Sequence, residues 1–397
     1  MMRSVLILLG AACLAVLSLP ASAQGNRQQP EQIVPNQTPI AVYMPPSALR
    51  ARFYSNTLWV EPGKALSDAV DEVGKRYFPN LVLVPSDGES AYALIVDLAP
   101  DWDAARGKVQ LKMQYGVYDV DGKKLMGGNT EQAVPLKSGN LNAAADAASA
   151  LAIRHVMVEI QRRLNPDAAR HPASGSTADI DFGTLVDREK PYRTGTAFFI
   201  NTAGSLLTAA HVARDCVVIE AHQDGTTFPV TSKASSDLLD IAVLETGQAR
   251  DSALSLRSGN QIVLGEAVTS VGFPLKGLLG DSPNVTRGNV SASRGIRGSM
   301  GMFQFSAPIQ PGNSGGPIVS DNGELLGMAV STLNAGRLAQ RGLIPQNVNF
   351  ALDGRYVAKF LQREGVPFDE IAPEGVGGLQ VANQAALGNT VQLNCYE

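Results

Sequence analysis

The sequence predicts two domains, a small α+β domain followed by a larger domain built from strands. In the first, apolar residues recur at helical spacing and then alternate with polar residues, as in a strand with one wet face. In the second, short apolar runs stop at His211 and start after Asp240, which is typical of buried strands. Between the domains, residues 166–185 form a polar linker rich in small residues. A chain of 397 residues has room for both domains.

The small α+β domain is predicted over residues 39–165. A first helix is indicated by apolar residues at i, i+4, i+7 and i+11, which are Leu66, Val70, Val73 and Tyr77. Residues 109–115 alternate between apolar and polar side chains, and Asp121-Gly122 marks a hairpin turn after them. Residues 141–164 are predicted to form a second helix. This domain carries no recognisable chemistry, so recognition or regulation and a role as a folding adjunct both stay open as its function.

Residues 1–23 have the pattern of a secretory signal peptide. A short positive start at Arg3 precedes an almost wholly apolar run over residues 5–19, and Ala21-Ser22-Ala23 forms the cleavage site. An uncleaved membrane anchor would need a longer apolar run than this one. Residues 24–38, which are rich in Gln, Asn and Pro, are predicted to be disordered.

Composition argues against several classes of function. The formal net charge is −4, and no basic excess points to nucleic acid as a partner. No other apolar run of about 18 residues occurs, so we expect no stable membrane span after signal cleavage. We expect no cofactor and no metal, and His155 is interpreted as a surface or packing residue. In the mature chain, a bond between Cys216 and Cys395 and a pair of unbonded cysteines both stay open.

Three phrases of the second domain carry the candidate chemistry. Ser314 lies in Gly312-Asn313-Ser314-Gly-Gly, where glycines let the backbone pack tightly and direct its N–H groups at a developing oxyanion. His211 ends an apolar run, as a general base at a strand end would, and Asp240 opens the run Ile-Ala-Val-Leu. His, then Asp, then Ser is one of three chain orders that build a serine hydrolase triad.

This order discriminates between hydrolase classes. The G-x-S-x-G pattern around Ser314 also fits the nucleophile elbow of α/β-hydrolases, in which the catalytic His follows the Ser. All four histidines, at positions 155, 171, 211 and 222, precede Ser314, which excludes that fold. The subtilisin order, Asp before His, stays formally open, although nothing upstream of His211 resembles the Asp environment of that family.

Each candidate residue has a predicted role. His211 takes the proton of the Ser314 hydroxyl, and Asp240 accepts a hydrogen bond from the far imidazole nitrogen. The backbone N–H groups of Gly312 and Ser314, with Asn313 between them, are predicted to form an oxyanion hole.

The second domain also contains five phrases in a fixed order, which are Gly195-Thr-Ala-Phe-Phe-Ile200, Thr208-Ala-Ala-His211, Asp240-Ile-Ala-Val-Leu244, Gly272-Phe-Pro274 and Gln310-Pro-Gly-Asn-Ser314-Gly-Gly-Pro317. Together they resemble the trypsin-like serine proteases of the HtrA (DegP/DegS-like) branch. The resemblance implies an all-β trypsin-like double β-barrel over residues 186–365, with the triad in the cleft between the barrels. Residues 366–397 would then be a C-terminal tail, shorter than the PDZ domain that usually follows in this branch.

The resemblance also implies a function and partners. It implies an exported serine endopeptidase, periplasmic or secreted, that hydrolyses peptide bonds of unfolded proteins. Its partners would be protein or peptide substrates, and homo-oligomers are implied because trimers are common in this branch. The residues before Ser314 and those at 327–331 carry no acid, so we expect Arg and Lys to be rejected at the cleavage position. Small or medium aliphatic residues are expected there instead, as in similar proteases.

Several alternatives stay open at this point. A non-catalytic trypsin-fold protein used for binding or regulation is one, and an esterase-like enzyme with the same site is another. Within the site, Asp237 competes with Asp240 as the acid; we favour Asp240 because it adjoins the apolar strand. An added protease is expected to cut first between Asn165 and Lys190, because a polar stretch has little burial to protect it.

Overall fold

The structure is a computed structural model, and it describes residues 33–55, 58–86, 88–105, 107–136, 139–259, 262–275, 282–295, 298–332, 346–373 and 377–397. The predicted signal peptide, 1–23, lies outside the described residues, as does most of the segment predicted to be disordered, 24–38. The described end of that segment is held in place. Asn36 donates its backbone N–H to the carbonyl of Tyr77 (2.7 Å) and its side-chain amide to the carbonyl of Pro166 (2.8 Å). Residues 33–165 are called the front domain below.

The front domain is a five-stranded sheet with helices on one face. The domain contains the strands β1 (Ile40–Tyr43), β2 (Phe53–Ser55), β3 (Leu58–Val60), β4 (Leu81–Val84), β5 (Ala91–Tyr92), β6 (Leu94–Ala105), β7 (Lys108–Asp119) and β8 (Lys124–Pro135), of which β2, β3 and β5 lie outside the five-stranded sheet. Its helices are Pro46–Leu49, Pro62–Ala69, Lys75–Tyr77 and Leu141–Glu159, with π-helical turns at Val70–Gly74 and Ile160–Leu164. The sheet order is β4-β1-β6-β7-β8, in which β1 runs parallel to β4 and β6, and β6, β7 and β8 are antiparallel.

The helices cover the sheet with the apolar stripe that the sequence predicts. Leu66, Val70 and Tyr77 are at most 3% exposed, and they belong to one apolar core with Ile153 and Met157 of the long helix. Full burial of an aliphatic side chain of this size contributes about 1.5–3 kcal/mol, so this helix–sheet contact is a main source of the stability of the front domain. The α+β class predicted for this domain is confirmed.

The segment predicted to be a linker, 166–185, lies on the opposite face of the front sheet. Its strand β9 (Gly175–Ser176) pairs with β5. The ring of Phe182 stacks on Tyr43 with centroids 4.6 Å apart, and Leu185 is buried in the same apolar cluster. This differs from the expectation of an unprotected stretch, because the few apolar residues of the segment cover a sheet face that would otherwise be wet.

The second domain begins with a closed six-stranded barrel. Its strands are β10 (Arg193–Phe199), β11 (Ser205–Thr208), β12 (Val218–Gln223), β13 (Thr226–Ser236), β14 (Ile241–Glu245) and β23 (Thr390–Tyr396). Their order around the barrel is β10-β11-β14-β13-β12-β23. The short helix Ala210–Ala213 follows β11.

Strand β23 closes this first barrel, whereas the sequence predicts a C-terminal tail over residues 366–397. The strand pairs antiparallel with β10 on one side and with β12 on the other. Val391 and Leu393 are fully buried in the barrel core, and Cys395 forms a disulfide with Cys216. These cysteines are 179 residues apart, and in the chain-entropy model a loop of this length constrains the unfolded chain by about 5 kcal/mol.

The second barrel is also closed. Its strands are β16 (Ala267–Gly272), β17 (Asn284–Ala292), β18 (Met302–Phe305), β19 (Pro317–Ser320), β20 (Leu325–Thr332) and β21 (Asn349–Asp353), and β15 (Leu256–Arg257) and β22 (Glu370–Ile371) extend the sheet beyond β20. The barrel closes because β19 pairs with both β16 and β20. Helices Gly354–Arg363 and Leu379–Asn389 complete the domain, and the predicted double β-barrel is confirmed. Over the described ranges, none of the helices has both the length and the apolarity that a bilayer crossing requires.

One carboxyl group is largely buried in the front sheet. Asp97 on β6 lies beside Tyr43 of β1 in the strand register. Burial raises the pKa of Asp97 from 3.8 to about 6, and the positive charge of Lys124 opposes this shift only in part. The folded chain therefore binds this proton more tightly than the unfolded chain does. Ionisation of Asp97 consequently lowers the free energy of unfolding as the pH rises through the interval between these two values.

We predict that Asp97→Asn stabilises the protein at neutral pH but much less in mild acid. The gain in the free energy of unfolding should be on the order of 2 kcal/mol at about pH 7.5 and should shrink as the pH falls toward about 4.5. Thermal unfolding at a series of pH values measures it. Asp101→Asn, which changes an exposed carboxylate on the same strand, is the control. A gain of equal size at every pH would contradict the prediction.

Candidate active site

His211 is held by both oxygens of one carboxylate. It lies in the helix Ala210–Ala213, directly after the end of β11. Its backbone N–H donates to Oδ1 of Asp240 (2.9 Å), and its Nδ1 lies 2.7 Å from Oδ2 of the same residue. The contact with a carboxylate assigns the imidazole proton to Nδ1, which leaves Nε2 able to accept a proton.

Asp240 is the acid that the structure brings to His211. Its φ of 51° lies in the left-handed region, which Asp tolerates better than most residues, and it ends the turn that precedes β14. Burial raises the pKa of Asp240, but the hydrogen bonds from His211 outweigh burial, so the net pKa lies below the ordinary value of an Asp. Asp240 is therefore ionised at neutral pH. The competing residue, Asp237, is exposed and forms an ion pair with Arg214 instead.

Ser314 lies in a glycine-rich turn that packs against the strand leading to His211. Gly315, the next residue, has φ 84°, a conformation that favours glycine. A Cβ at this position would lie 2.2 Å from the carbonyl oxygen of Thr196 and 2.4 Å from Oγ1 of Thr208. Only glycine allows this approach. The turn of the second barrel thereby comes to the end of β11, three residues before His211.

The three residues of the predicted oxyanion hole do not all have free donors. Among the residues that the structure describes, neither the backbone N–H of Gly312 nor that of Ser314 donates to a protein acceptor. Asn313 donates its N–H to the carbonyl of Gln310 (3.0 Å) and therefore acts as a spacer. The Ser314 hydroxyl donates to the carbonyl of Val330 (3.3 Å), so it must rotate away from Val330 before it can pass its proton to an imidazole.

Thr196 is a site residue that the sequence patterns do not single out. Its Oγ1 donates to the carbonyl of Gly312 (2.7 Å) and accepts from the N–H of Phe273 (3.1 Å), and its own N–H donates to the carbonyl of Ser314 (2.9 Å). One fully buried side chain of the first barrel thus fixes the nucleophile turn of the second. The available signal was a Thr inside an apolar strand, because a buried hydroxyl needs hydrogen-bond partners.

The remaining candidate groups give no second site. His155 is exposed on the long helix of the front domain, as expected. His222 contacts Thr227 and Asn394 through its two ring nitrogens, at 2.7 Å each. Within the described ranges, no cluster of three or more His, Cys, Asp or Glu side chains could hold a metal ion.

The second domain contains the parts that acyl transfer requires. They comprise a hydroxyl nucleophile, an imidazole oriented by an ionised carboxylate, and two backbone donors beside the nucleophile. The two barrels contribute different parts, since His211 and Asp240 belong to the first and Ser314 to the second.

The second domain is similar in sequence to known proteins. Residues 195–328 match the family model of the trypsin-like peptidase domain. The serine endoprotease DegS of Haemophilus influenzae is 32% identical over 164 residues, which are 40% of this chain and 46% of that protein. DegS of Escherichia coli K12 is 30% identical over 208 residues, which are 50% of this chain and 56% of that protein. The uncharacterized protein y4bJ of Sinorhizobium fredii is 40% identical over 174 residues, which are 43% of this chain and 27% of that protein.

Among solved structures, the HtrA-type protease AlgW with a decapeptide is 27% identical and covers 43% of this chain and 51% of that chain, with a TM-score of 0.37. The chain spans between 27% and 56% of the length of the relatives named above. The segment matched by the family model includes His211, Asp240 and Ser314. The segment that carries these residues is thus similar to the trypsin-like peptidase domain and to the serine endoproteases DegS.

Proposed function

We propose that the chain is a serine endopeptidase that hydrolyses peptide bonds through an acyl-enzyme, with His211, Asp240 and Ser314 as its triad. The observation that carries the proposal is the two-oxygen contact of Asp240 with His211 beside the glycine turn of Ser314. The relatives named serine endoproteases support the same reaction class.

The proposed mechanism uses each contact of the site. Ser314 Oγ attacks the peptide carbonyl while His211 Nε2 takes its proton, and Asp240 stabilises the imidazolium that forms. The N–H groups of Gly312 and Ser314 stabilise the negative charge on the substrate oxygen, each by about 3 kcal/mol in barrier height. The imidazolium then protonates the leaving amine. Water attacks the acyl-enzyme in the same way and releases the second product.

We infer that the substrates are unfolded exported proteins and that the protein acts in the bacterial periplasm or outside the cell. The signal peptide predicted over residues 1–23 and the HtrA resemblance support this placement. The Cys216–Cys395 disulfide also fits an oxidising compartment. A homo-oligomer is proposed on the resemblance alone.

A labelling experiment separates this proposal from a binding protein and from an esterase. A fluorophosphonate probe should label Ser314 in the purified mature chain and should not label Ser314→Ala. Digestion of unfolded casein then distinguishes a protease from an esterase, with the same variant as control. A wild-type chain that resists the probe would overturn the enzymatic assignment, and a labelled chain that cleaves esters but no protein would favour the esterase.

We predict that the acid of the triad can be identified by a matched pair of variants. Ser314→Ala should lower turnover by about 10⁴-fold or more, because the triad acts as a unit. Asp240→Asn should cost on the order of 10⁴-fold, since the imidazole loses its orienting carboxylate. Asp237→Asn, which removes an exposed carboxylate three residues away, should have little effect. Steady-state proteolysis of an unfolded substrate measures all three, and the assignment is wrong if Asp237→Asn is the damaging change.

Thr196→Val should lower kcat by about 10- to 100-fold with little change in KM, because the oxyanion donors lose the hydroxyl that fixes the carbonyl of Gly312. The change keeps the shape of the side chain but removes the hydrogen-bond partner of the Gly312 carbonyl and of the Phe273 N–H. Thr194→Val, on the same strand but half-buried, serves as the matched control. Equal kcat values in the two variants would show that the Thr196 hydroxyl does not support the site.

The cleavage preference should be for small or medium aliphatic residues. Ala307, Ile309 and Val330 are buried apolar side chains in the two segments expected to line the pocket. A basic side chain placed there would find no acid in these segments to pair with, and burial of an unpaired charge costs free energy. Profiling with a peptide library, with Ser314→Ala as the blank, measures the preference. Dominant cleavage after Arg or Lys would contradict it.

A further inference from the structure

The chain segment that follows His211 is held from the barrel side at two points. The guanidinium of Arg193, on β10, donates to the carbonyl oxygens of His211 (2.8 Å) and Arg214 (3.1 Å). Two residues after Arg214, Cys216 is bonded to Cys395 of β23. The barrel therefore fixes both ends of the segment 211–216.

The residue between these two attachments contacts the front domain. Asp215 has φ 66°, and its side chain is only 15% exposed. It forms an ion pair with Arg50, which directly follows the helix Pro46–Leu49 of the front domain. The hydroxyl of Ser47 in that helix donates to the carboxylate of Glu397, which follows β23. The front domain thus meets the barrel next to both cysteines of the disulfide.

The rest of the joint keeps this contact in place. Phe182 and Leu185, which lead into the protease domain, are packed in an apolar cluster with Tyr43 of the front sheet. Val217 of the protease domain, which follows the disulfide cysteine Cys216, packs against the same cluster. The helix Pro46–Leu49 follows β1, which carries Tyr43, after two residues. Arg50 is therefore presented to Asp215 by a packed joint and not by a free tether.

We propose that Arg50 is a positioning residue for His211, so that the front domain is a built-in part of the proteolytic site. This proposal rests on the proposed function. Arg50 holds Asp215 from outside while Arg193 and the disulfide hold its neighbours from inside, and the three contacts together set where the helix Ala210–Ala213 places the imidazole. Displacing a reacting group by about 1 Å can cost 10²-fold in rate.

Variants of the full mature chain test the proposal. Arg50→Gln and Asp215→Asn should each lower kcat by about three- to tenfold with KM unchanged, and the double variant should be no worse than either one. Asn is chosen because it also tolerates the left-handed conformation of residue 215. Arg50→Lys, which keeps the charge, should restore most of kcat.

The matched control is a second ion pair between an exposed Arg and a largely buried acid on the same barrel. Arg188 and Glu220 have side-chain exposures of 53% and 13%, close to the 63% and 15% of Arg50 and Asp215. Arg188→Gln should leave kcat unchanged. A loss of kcat in Arg188→Gln equal to that in Arg50→Gln, or no loss in either, would overturn the proposal.

A second measurement does not depend on proteolysis. The amide of Arg214 donates to the carbonyl of Ala210 (2.9 Å), and its hydrogen exchange, measured in the Ser314→Ala background, reports how tightly the segment is held. Adding Arg50→Gln should speed that exchange severalfold, whereas Arg188→Gln should not. If wild type proved inactive but the exchange still rose, the proposed function would fail while the coupling of the domains stood. Unchanged exchange in Arg50→Gln would sink the coupling itself.

Discussion

The closure of the first barrel by β23 is the constraint on which the site depends. This strand pairs with β10, which carries Thr196, and with β12, which begins two residues after Cys216. A barrel without it would expose unpaired edges on both neighbours, and such edges are sites of slippage and aggregation. The domain predicted over residues 186–365 is therefore not a complete folding unit. A fragment that stops at 365 would lose the strand and the disulfide together, and its inactivity would say nothing about the front domain.

The barrels are joined by hydrogen bonds to backbone groups as well as by apolar packing. Thr196 contacts the carbonyls of Gly312 and Ser314 across the interface, and within the first barrel the hydroxyl of Thr208 donates to the carbonyl of Thr196 (2.7 Å). The contacts of Thr196 engage carbonyl groups of the nucleophile turn, and within the described residues the N–H groups of Gly312 and Ser314 donate to no protein acceptor. The carbonyl groups of this short turn thus attach it to the first barrel, whereas the N–H groups of Gly312 and Ser314 make no such contact. The N–H of Asn313 donates to the carbonyl of Gln310 within the turn.

The sequence indicates the candidate residues of the site, but it does not indicate how distant parts of the chain pair in the fold. His211, Asp240 and Ser314 lie in local phrases whose chemistry can be recognised residue by residue, and the structure brings the first two together. Strand β23 could not be assigned in the same way, although residues 391–395 alternate apolar and polar residues as strands do. Its partners lie about 200 and 175 residues earlier, and pairing over such separations leaves no local trace in a single sequence. The same holds for residues 166–185. The role of their few apolar side chains is visible only in the structure, where they pack on the face of the front sheet that the helices leave uncovered.

Because residues 166–185 pack on the front sheet, the boundary between the domains is a packed joint and not a free linker. Composition places a linker there, but Phe182 and Leu185 share an apolar cluster with the front sheet, and Val217 of the first barrel packs against it. A segment buried on one side by the front domain and continuous on the other with β10 couples the two units mechanically. Separating the domains would expose the sheet face that carries Tyr43 and break the contact between Arg50 and Asp215 in one step. The cost of exposing that apolar face therefore favours a front domain that stays docked while the protease domain works. Control of the site by the front domain would then require small shifts at Asp215, four residues from the imidazole of His211, and not dissociation.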